Sequence, residues 1–146
     1  MSFTRGEIEA AVGDAVVRVL RETYGHGPRM VHACLLANHL TITAEGVLTT
    51  AEKHLLAHYG SREDSRAADL IRSFRSELFF TFQKRLVAVA ETCTGSPVIG
   101  IQDTLQCECG VKVITFTFAE CPKCRLARAT RAKAHDSSRA NGSGGA

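Results

Sequence analysis

The feature that most constrains the fold is a change of hydrophobic period along the chain. Residues 29 to 37 and 39 to 45 predict a hairpin around Asn38, and the second of these strands alternates apolar with polar residues. Residues 98 to 101 and 111 to 118 predict a second pair of strands after a long helical segment. Adjacent strands with helices between the pairs favour antiparallel pairing. The sequence therefore predicts an α+β fold of order α-β-β-α-α-β-β, with an antiparallel sheet covered by helices.

Capping boxes predict where two of the three helices begin. Thr4 is followed by Glu7 and Thr49 by Glu52, a spacing in which hydroxyl and carboxylate satisfy two free amides at a helix start. Gly60 is expected to end the second, short helix near Tyr59. The first helix carries an apolar stripe at helical spacing, which we expect to face the core: Ile8, Ala11, Val12, Ala15, Val16 and Val19.

The third predicted helix is unusually long for a small protein. It begins at Ser61, with Asp64 three residues later, and runs to about Thr92. About thirty residues at about 1.5 Å each reach about 45 Å, more than a small domain covers. Phe79 and Phe80 lie beside the stripe, so we expect part of this helix to be buried against a second copy in a homodimer, with a kink as the alternative. The predicted stripe consists of Ala68, Ile71, Phe74, Leu78, Phe82, Leu86 and Val89.

Length and hydropathy limit the class of protein. The chain has 146 residues, 45% of them hydrophobic, which suits one compact domain and is short for two. No window approaches the roughly 18 consecutive apolar residues of a membrane span. Residues 1 to 7 lack the apolar stretch of a signal peptide and lead straight into a helix. We therefore expect a soluble, cytoplasmic protein without a membrane span.

Four of the six cysteines lie within eighteen residues, as Cys107 and Cys109 and then Cys121 and Cys124. Zinc takes four thiolates at tetrahedral corners about 2.3 Å away. The second pair, in Cys-Pro-x-Cys, is typical of a zinc-ribbon knuckle, whereas Cys-x-Cys is a less usual first half. Clustered cysteines in a reducing compartment favour metal binding or redox sensing over disulfides. We predict a structural zinc site formed by these four cysteines, with knuckle elements over residues 107–124.

The segment between the two pairs conflicts with a single site. If residues 111 to 118 form one straight strand, about 3.3 Å per residue separates the pairs by about 26 Å. Residues 111 to 120 could instead bend back as a ribbon, the second pair could meet cysteines of another subunit, or the pairs could be separate. A disulfide, idle thiols and a thiol redox sensor that uses Cys121 and Cys124 are the remaining alternatives.

Charge is distributed unevenly. Residues 123 to 139 hold six basic residues and one acidic residue, whereas the whole chain carries +3, so the remainder is slightly acidic. Residues 125–146 are basic and rich in Gly and Ser, which predicts a disordered tail. The acidic body makes nucleic acid an unexpected partner, although a zinc-ribbon regulator that binds nucleic acid through its basic tail is an alternative function.

Motifs for catalysis are weak. His54 and His58 share a helix face without the glutamate of a His-Glu-x-x-His site, so we expect solvated histidines. His32 and Cys34 share one face of a strand, which suits a Cys-His nucleophile pair, but a buried, inert cysteine is the expected state. The Gly25 to Pro28 segment lacks the lysine and helix start of a phosphate-binding loop. We predict that the protein is not an enzyme.

Five segments form a pattern along the chain: Thr4-Arg5-Gly6-Glu7, Gly25-His26-Gly27-Pro28, residues 45 to 53, Thr94-Gly95, and Val113-Ile114-Thr115-Phe116-Thr117-Phe118. Together they resemble the MpsC-like family, named for a sodium-translocating, membrane-potential-generating system. The resemblance implies a single α+β domain over residues 1–120. It also implies a small, soluble bacterial accessory protein, in some genomes near genes for membrane complexes that energise inorganic-carbon transport, with no established reaction and no catalytic residue. The zinc-knuckle cysteines and the tail lie outside the family pattern.

Overall fold

The computed structural model describes residues 3–125 of the chain. Apart from Arg125, the predicted tail over residues 125–146 lies outside the described residues. The order of helices and strands confirms the predicted α+β sequence of elements. The elements are α1 (Arg5–Tyr24), β1 (Met30–Leu36), β2 (His39–Glu45), α2 (Thr50–Tyr59), α3 (Arg66–Thr94), β3 (Val98–Gln106) and β4 (Val111–Phe118).

The four strands form one antiparallel sheet in the order β1-β2-β4-β3. Leu40 lies opposite Phe116 and Ile42 opposite Ile114, and all four side chains are buried. Residues paired in this way share a face, so the core lies between this face and the helices. Thr41, on the opposite face, is only half-buried. The predicted covering of the sheet by helices therefore applies to one face, and the fold has two layers.

The predicted capping boxes are present at the starts of α1 and α2. The Thr4 hydroxyl accepts a hydrogen bond from the Glu7 amide at 3.1 Å, and the Thr4 amide donates to the Glu7 carboxylate at 3.0 Å. Thr49 and Glu52 repeat this arrangement. The predicted start of α3 at Ser61 is wrong by about one turn, because Ser65 caps the helix by accepting from the Ala68 amide at 3.1 Å.

The buried face of α3 differs from the predicted stripe at its centre. Phe74 was expected to be buried but is 60% exposed, whereas Arg75 is only 1% exposed. Phe79, expected beside the stripe, is buried and packs edge-on against Phe82 with ring centroids 5.4 Å apart. Phe80 is exposed. An arginine therefore lies on the buried face between Ile71 and Phe79, a position that a search for apolar periodicity does not identify.

The turn between β3 and β4 is fixed against the helical layer. Gly110, with φ of 65°, ends this turn, and a Cβ at this position would lie 3.4 Å from the Leu48 side chain. Its carbonyl accepts a hydrogen bond from the Val47 amide at 3.2 Å. The Glu63 carboxylate accepts another from the Glu108 amide at 2.8 Å. These contacts hold the first cysteine pair beside α2 and α3.

Candidate functional site

The two cysteine pairs lie at opposite ends of β4. Cys107 and Cys109 belong to the turn before this strand, and Cys121 and Cys124 follow it. Because β4 is one continuous strand of eight residues, a rise of about 3.3 Å per residue separates the pairs by about 26 Å. Across residues 3–125 there is no group of three or more His, Cys, Asp or Glu side chains able to hold a metal ion. One chain therefore does not gather the four thiols in this arrangement, and zinc binding stays a prediction.

Cys107 and Cys109 have different environments although they share one turn. Cys107 is 1% exposed, and this burial raises the pKa of its thiol. Cys109 is exposed, and its thiol donates to the Gln106 side-chain oxygen at 3.3 Å. A buried thiol with a raised pKa loses its proton reluctantly, and zinc requires the thiolate. Cys107 is therefore better suited to the core than to a metal.

The histidine and cysteine residues considered for catalysis are not arranged as a catalytic pair. Cys34 is exposed, so the expectation of a buried cysteine there is wrong. Its sulfur lies 3.8 Å from the Arg5 guanidinium, and the His32 ring is 3.0 Å from the Met30 sulfur. His54 and His58 are both exposed, as predicted. Among residues 3–125, no histidine therefore lies within hydrogen-bonding distance of Cys34 to act as its base.

The main polar feature of the core is an ion pair that joins α2 to α3. The Arg75 guanidinium donates two hydrogen bonds, each 2.6 Å long, to the Glu52 carboxylate. A third, 2.7 Å long, goes to the Val47 carbonyl. Burial alone would raise the pKa of Glu52, but the hydrogen bonds from Arg75 and Thr49 outweigh burial and hold this pKa below its usual value. Glu52 is therefore a fixed, ionised partner of Arg75.

Tyr24 at the end of α1 completes this cluster. Its ring stacks on the Arg75 guanidinium, with 4.2 Å from the guanidinium carbon to the ring centroid. The Tyr24 hydroxyl and Arg75 Nη1 are both buried and make no hydrogen bond to any described residue. Burial raises the pKa of Tyr24 to about 12. The hydroxyl therefore keeps its proton at neutral pH.

A second buried ion pair lies on the sheet. Lys112 of β4 is fully buried and donates to the Asp103 carboxylate of β3 at 2.5 Å. Burial lowers the pKa of Lys112, and Asp103 opposes this effect. The Lys112 ammonium also lies 5.8 Å from the centre of the Phe79 ring. Arg75 and Lys112 thus each have their own carboxylate, and the two buried ion pairs together carry no net charge.

A polar cleft of about 280 Å³ opens beside these pairs. Its charged groups are already engaged: Arg75 with Glu52, Asp103 with Lys112, and Arg72 with Glu63. A general base needs a free lone pair aimed at a substrate proton, and these carboxylates are occupied by cations. The arrangement therefore favours a structural role. The cleft is lined by Arg72, Arg75, Ser76, Asp103, Thr104 and Leu105.

An apolar groove between α2 and α3 borders the Arg75 cluster through Tyr24 and Glu52. It has a volume of about 410 Å³. Leu70 and Phe74 form its outer wall and are 47% and 60% exposed. Large adjacent apolar side chains left in solvent favour a binding surface. The groove is lined by Tyr24, Thr49, Ala51, Glu52, Leu55, Leu70, Ile71 and Phe74.

The sequence contains a signal for the buried ions that apolar periodicity alone does not reveal. Lys112 has the same strand parity as Ile114 and Phe116, which places it on the buried face. Asp103 has the parity of Leu105 on the neighbouring strand. Opposite charges at inward positions of adjacent strands predict a buried pair.

The fold and its polar core define a class: a two-layer α+β domain with paired internal charges and an apolar groove on its helical side. A family model described as Na+-translocating membrane potential-generating system (MpsC) matches residues 4–120, and the chain belongs to this family. This match confirms the resemblance inferred from the sequence. No curated protein and no solved structure matched the chain. Within residues 3–125, none of the helices is long and apolar enough to cross a membrane.

Proposed function

We propose that this protein is a non-enzymatic accessory protein that acts in the cytoplasm as a homodimer and binds a component of a membrane ion or bicarbonate transport system. The observation that carries this proposal is the exposed apolar groove between α2 and α3, built over an ion-paired floor. The family description supplies the link to a membrane system. Membership names no reaction, and the paired charges of the core support binding more than chemistry.

The proposed occupant of the groove is an amphipathic helix of the partner. A groove between two helices accepts the apolar face of a third. Leu55 of α2 and Phe74 of α3 face the groove from either side. At the end where α2 stops and α3 starts, Arg66 lies over the Tyr59 ring at 5.7 Å. We expect an acidic residue of the partner helix to pair with Arg66.

The groove is suited to binding because an ion pair beneath it links its two walls, α2 and α3. Arg75 and Glu52 link α2 to α3 through two hydrogen bonds of 2.6 Å. A surface held in its bound shape loses little conformational entropy on association. The buried pair therefore supports the shape of the groove, and Glu52 is also part of its lining.

The test compares two exposed phenylalanines of α3. Phe74 faces the groove and Phe80 does not, although they are 60% and 64% exposed. We would measure sedimentation of the purified protein with membrane vesicles that contain or lack a sodium-translocating complex. Phe74→Ser should weaken binding to the complex by about tenfold or more, and Phe80→Ser should leave it unchanged.

Three results would contradict this proposal. The first is equal binding to both kinds of vesicle, and the second is equal binding by the two variants. The third is dissociation of the homodimer by Phe74→Ser, which would show that the groove holds a second copy. Urea unfolding of each variant controls for loss of structure.

A further inference from the structure

The thiols of Cys121 and Cys124 both contact the carbonyl oxygen of Pro122. The Cys121 thiol lies 3.9 Å from the Pro122 carbonyl oxygen, and the Cys124 thiol lies 3.6 Å from the same oxygen. Pro122 itself is buried, whereas Cys121 is exposed and Cys124 half-buried. The two sulfurs therefore share one neighbouring carbonyl oxygen at the edge of the molecule, where another chain can approach.

Backbone hydrogen bonds to neighbouring segments hold the chain on both sides of these cysteines. The Ala119 amide donates to the Pro97 carbonyl at 2.9 Å, and the Arg125 amide donates to the Phe3 carbonyl at 3.0 Å. The Cys121 thiol also donates to the Ala37 carbonyl at 3.4 Å. A metal site requires ligands held near their bound positions by the surrounding structure. Residues 119 to 125 provide such a support.

One chain offers only half of a zinc site at this edge. A structural zinc ion takes four ligands, and the Cys-Pro-x-Cys segment supplies two thiolates. Cys107 is buried and Cys109 lies beyond the far end of β4, about 26 Å away. The remaining two ligands must come from elsewhere.

We propose that two copies of this chain share one zinc ion, to which each contributes Cys121 and Cys124. A two-fold axis through the metal makes the two halves equivalent. Binding converts four thiols to thiolates and releases four protons, and the resulting centre carries two negative charges. Lys123 lies between the cysteines, is exposed, and forms no ion pair with a described residue. The two Lys123 side chains of the dimer balance this charge.

Exposed apolar side chains surround the same edge and support a contact between copies. Leu36 precedes Ala37, to which Cys121 is hydrogen-bonded, and is 69% exposed. Ile99 lies two residues beyond Pro97 and is 68% exposed. Phe3, whose carbonyl accepts from the Arg125 amide, is 36% exposed. Their burial between two chains would add to the stability of a zinc-linked dimer.

This inference rests on the homodimer of the proposed function, and its test is separate from the groove experiment. We would purify the full chain under reducing conditions with zinc and measure mass and metal content by native mass spectrometry. The expected species is a dimer with about 0.5 zinc per chain, which a strong chelator converts to monomer. Cobalt in place of zinc should show the absorption of a four-thiolate centre.

Matched serine variants identify the ligands. Cys121→Ser should abolish both zinc binding and the dimer, whereas Cys109→Ser, which changes an equally exposed thiol, should affect neither. A monomer with one zinc, zinc retained by Cys121→Ser, or loss of zinc in Cys109→Ser would overturn the proposal. A dimer that persists without metal would also overturn it, while leaving the homodimer of the proposed function in place.

Discussion

Replacement of Arg75 by Met should expose the energetic role of the buried ion pair. The change keeps an unbranched side chain but leaves the Glu52 carboxylate, 8% exposed, with the hydrogen bond that it accepts from the Thr49 amide. Loss of one partner of a buried pair costs about 3–5 kcal/mol because the other charge stays buried without compensation. For a domain with a stability of about 5–15 kcal/mol this is a large fraction.

A double-mutant cycle separates the pair from other effects of the substitutions. Glu52→Gln alone should also destabilise, because it leaves the guanidinium uncompensated. The double variant should lose less free energy of unfolding than the two single losses added together, with a coupling of about 0.5–3 kcal/mol. Arg85→Met is the matched control on the same helix, since Arg85 pairs with Glu22 at the surface and should leave the unfolding midpoint unchanged.

The assay is urea unfolding followed by far-ultraviolet circular dichroism, because the chain contains no tryptophan. The pKa of Glu52 is lowered in the folded protein, so its contribution is complete above the ordinary carboxyl range, about pH 4.3, and is lost as the pH falls below it. Arg75→Met should remove this acid-sensitive part. A cost below about 1 kcal/mol, or an unchanged acid profile, would refute the assigned role.

Further outcomes concern Tyr24, the cysteines of the β3–β4 turn and Thr49. Tyr24→Phe should not destabilise the protein at neutral pH, since the buried hydroxyl makes no hydrogen bond to a described residue, and urea midpoints would check this. Because the folded pKa of Tyr24 is about 12 and the unfolded value about 10, stability should fall between these pH values, and less steeply in Tyr24→Phe. In metal-free protein at neutral pH, mass spectrometry after alkylation should show Cys109 modified and Cys107 protected until unfolding. Thr49→Ala should cost about 1 kcal/mol through loss of the α2 cap, and an unchanged midpoint would contradict that contribution.

The boundaries of the fold were predictable wherever local chemistry marks them. The starts of α1 and α2 are identified by Thr4 with Glu7 and by Thr49 with Glu52. A capping box satisfies amides of the first helical turn that have no hydrogen-bond partner within the helix. The start of α3 was less well defined. Both Ser61 and Ser65 are suitable caps, and packing of Ala67 and Ala68 in the core selects the second.

The candidate site was less predictable because its parts come from distant segments. The cysteine spacing identified candidate zinc ligands but not their positions in space. The continuous strand β4 shows that the two cysteine pairs lie at its opposite ends. The buried Arg75 was missed because apolar periodicity counts a charged residue as exposed. Its burial depends on Glu52, which lies 23 positions away in the chain. The exposed Phe74 was misplaced for the same reason, since Arg75 takes the inward position next to it.

Glu52 both caps the start of α2 and binds Arg75. A single carboxylate therefore stabilises the first turn of the short helix α2 and also attaches that helix to the long helix α3. Protonation of Glu52 would release the two together. Because the pKa of Glu52 is lowered, this requires a pH below the ordinary carboxyl range, where the amides of α2 should exchange with solvent before those of the sheet. Since α2 is one wall of the groove, acid would open that wall and weaken its hold on a bound helix.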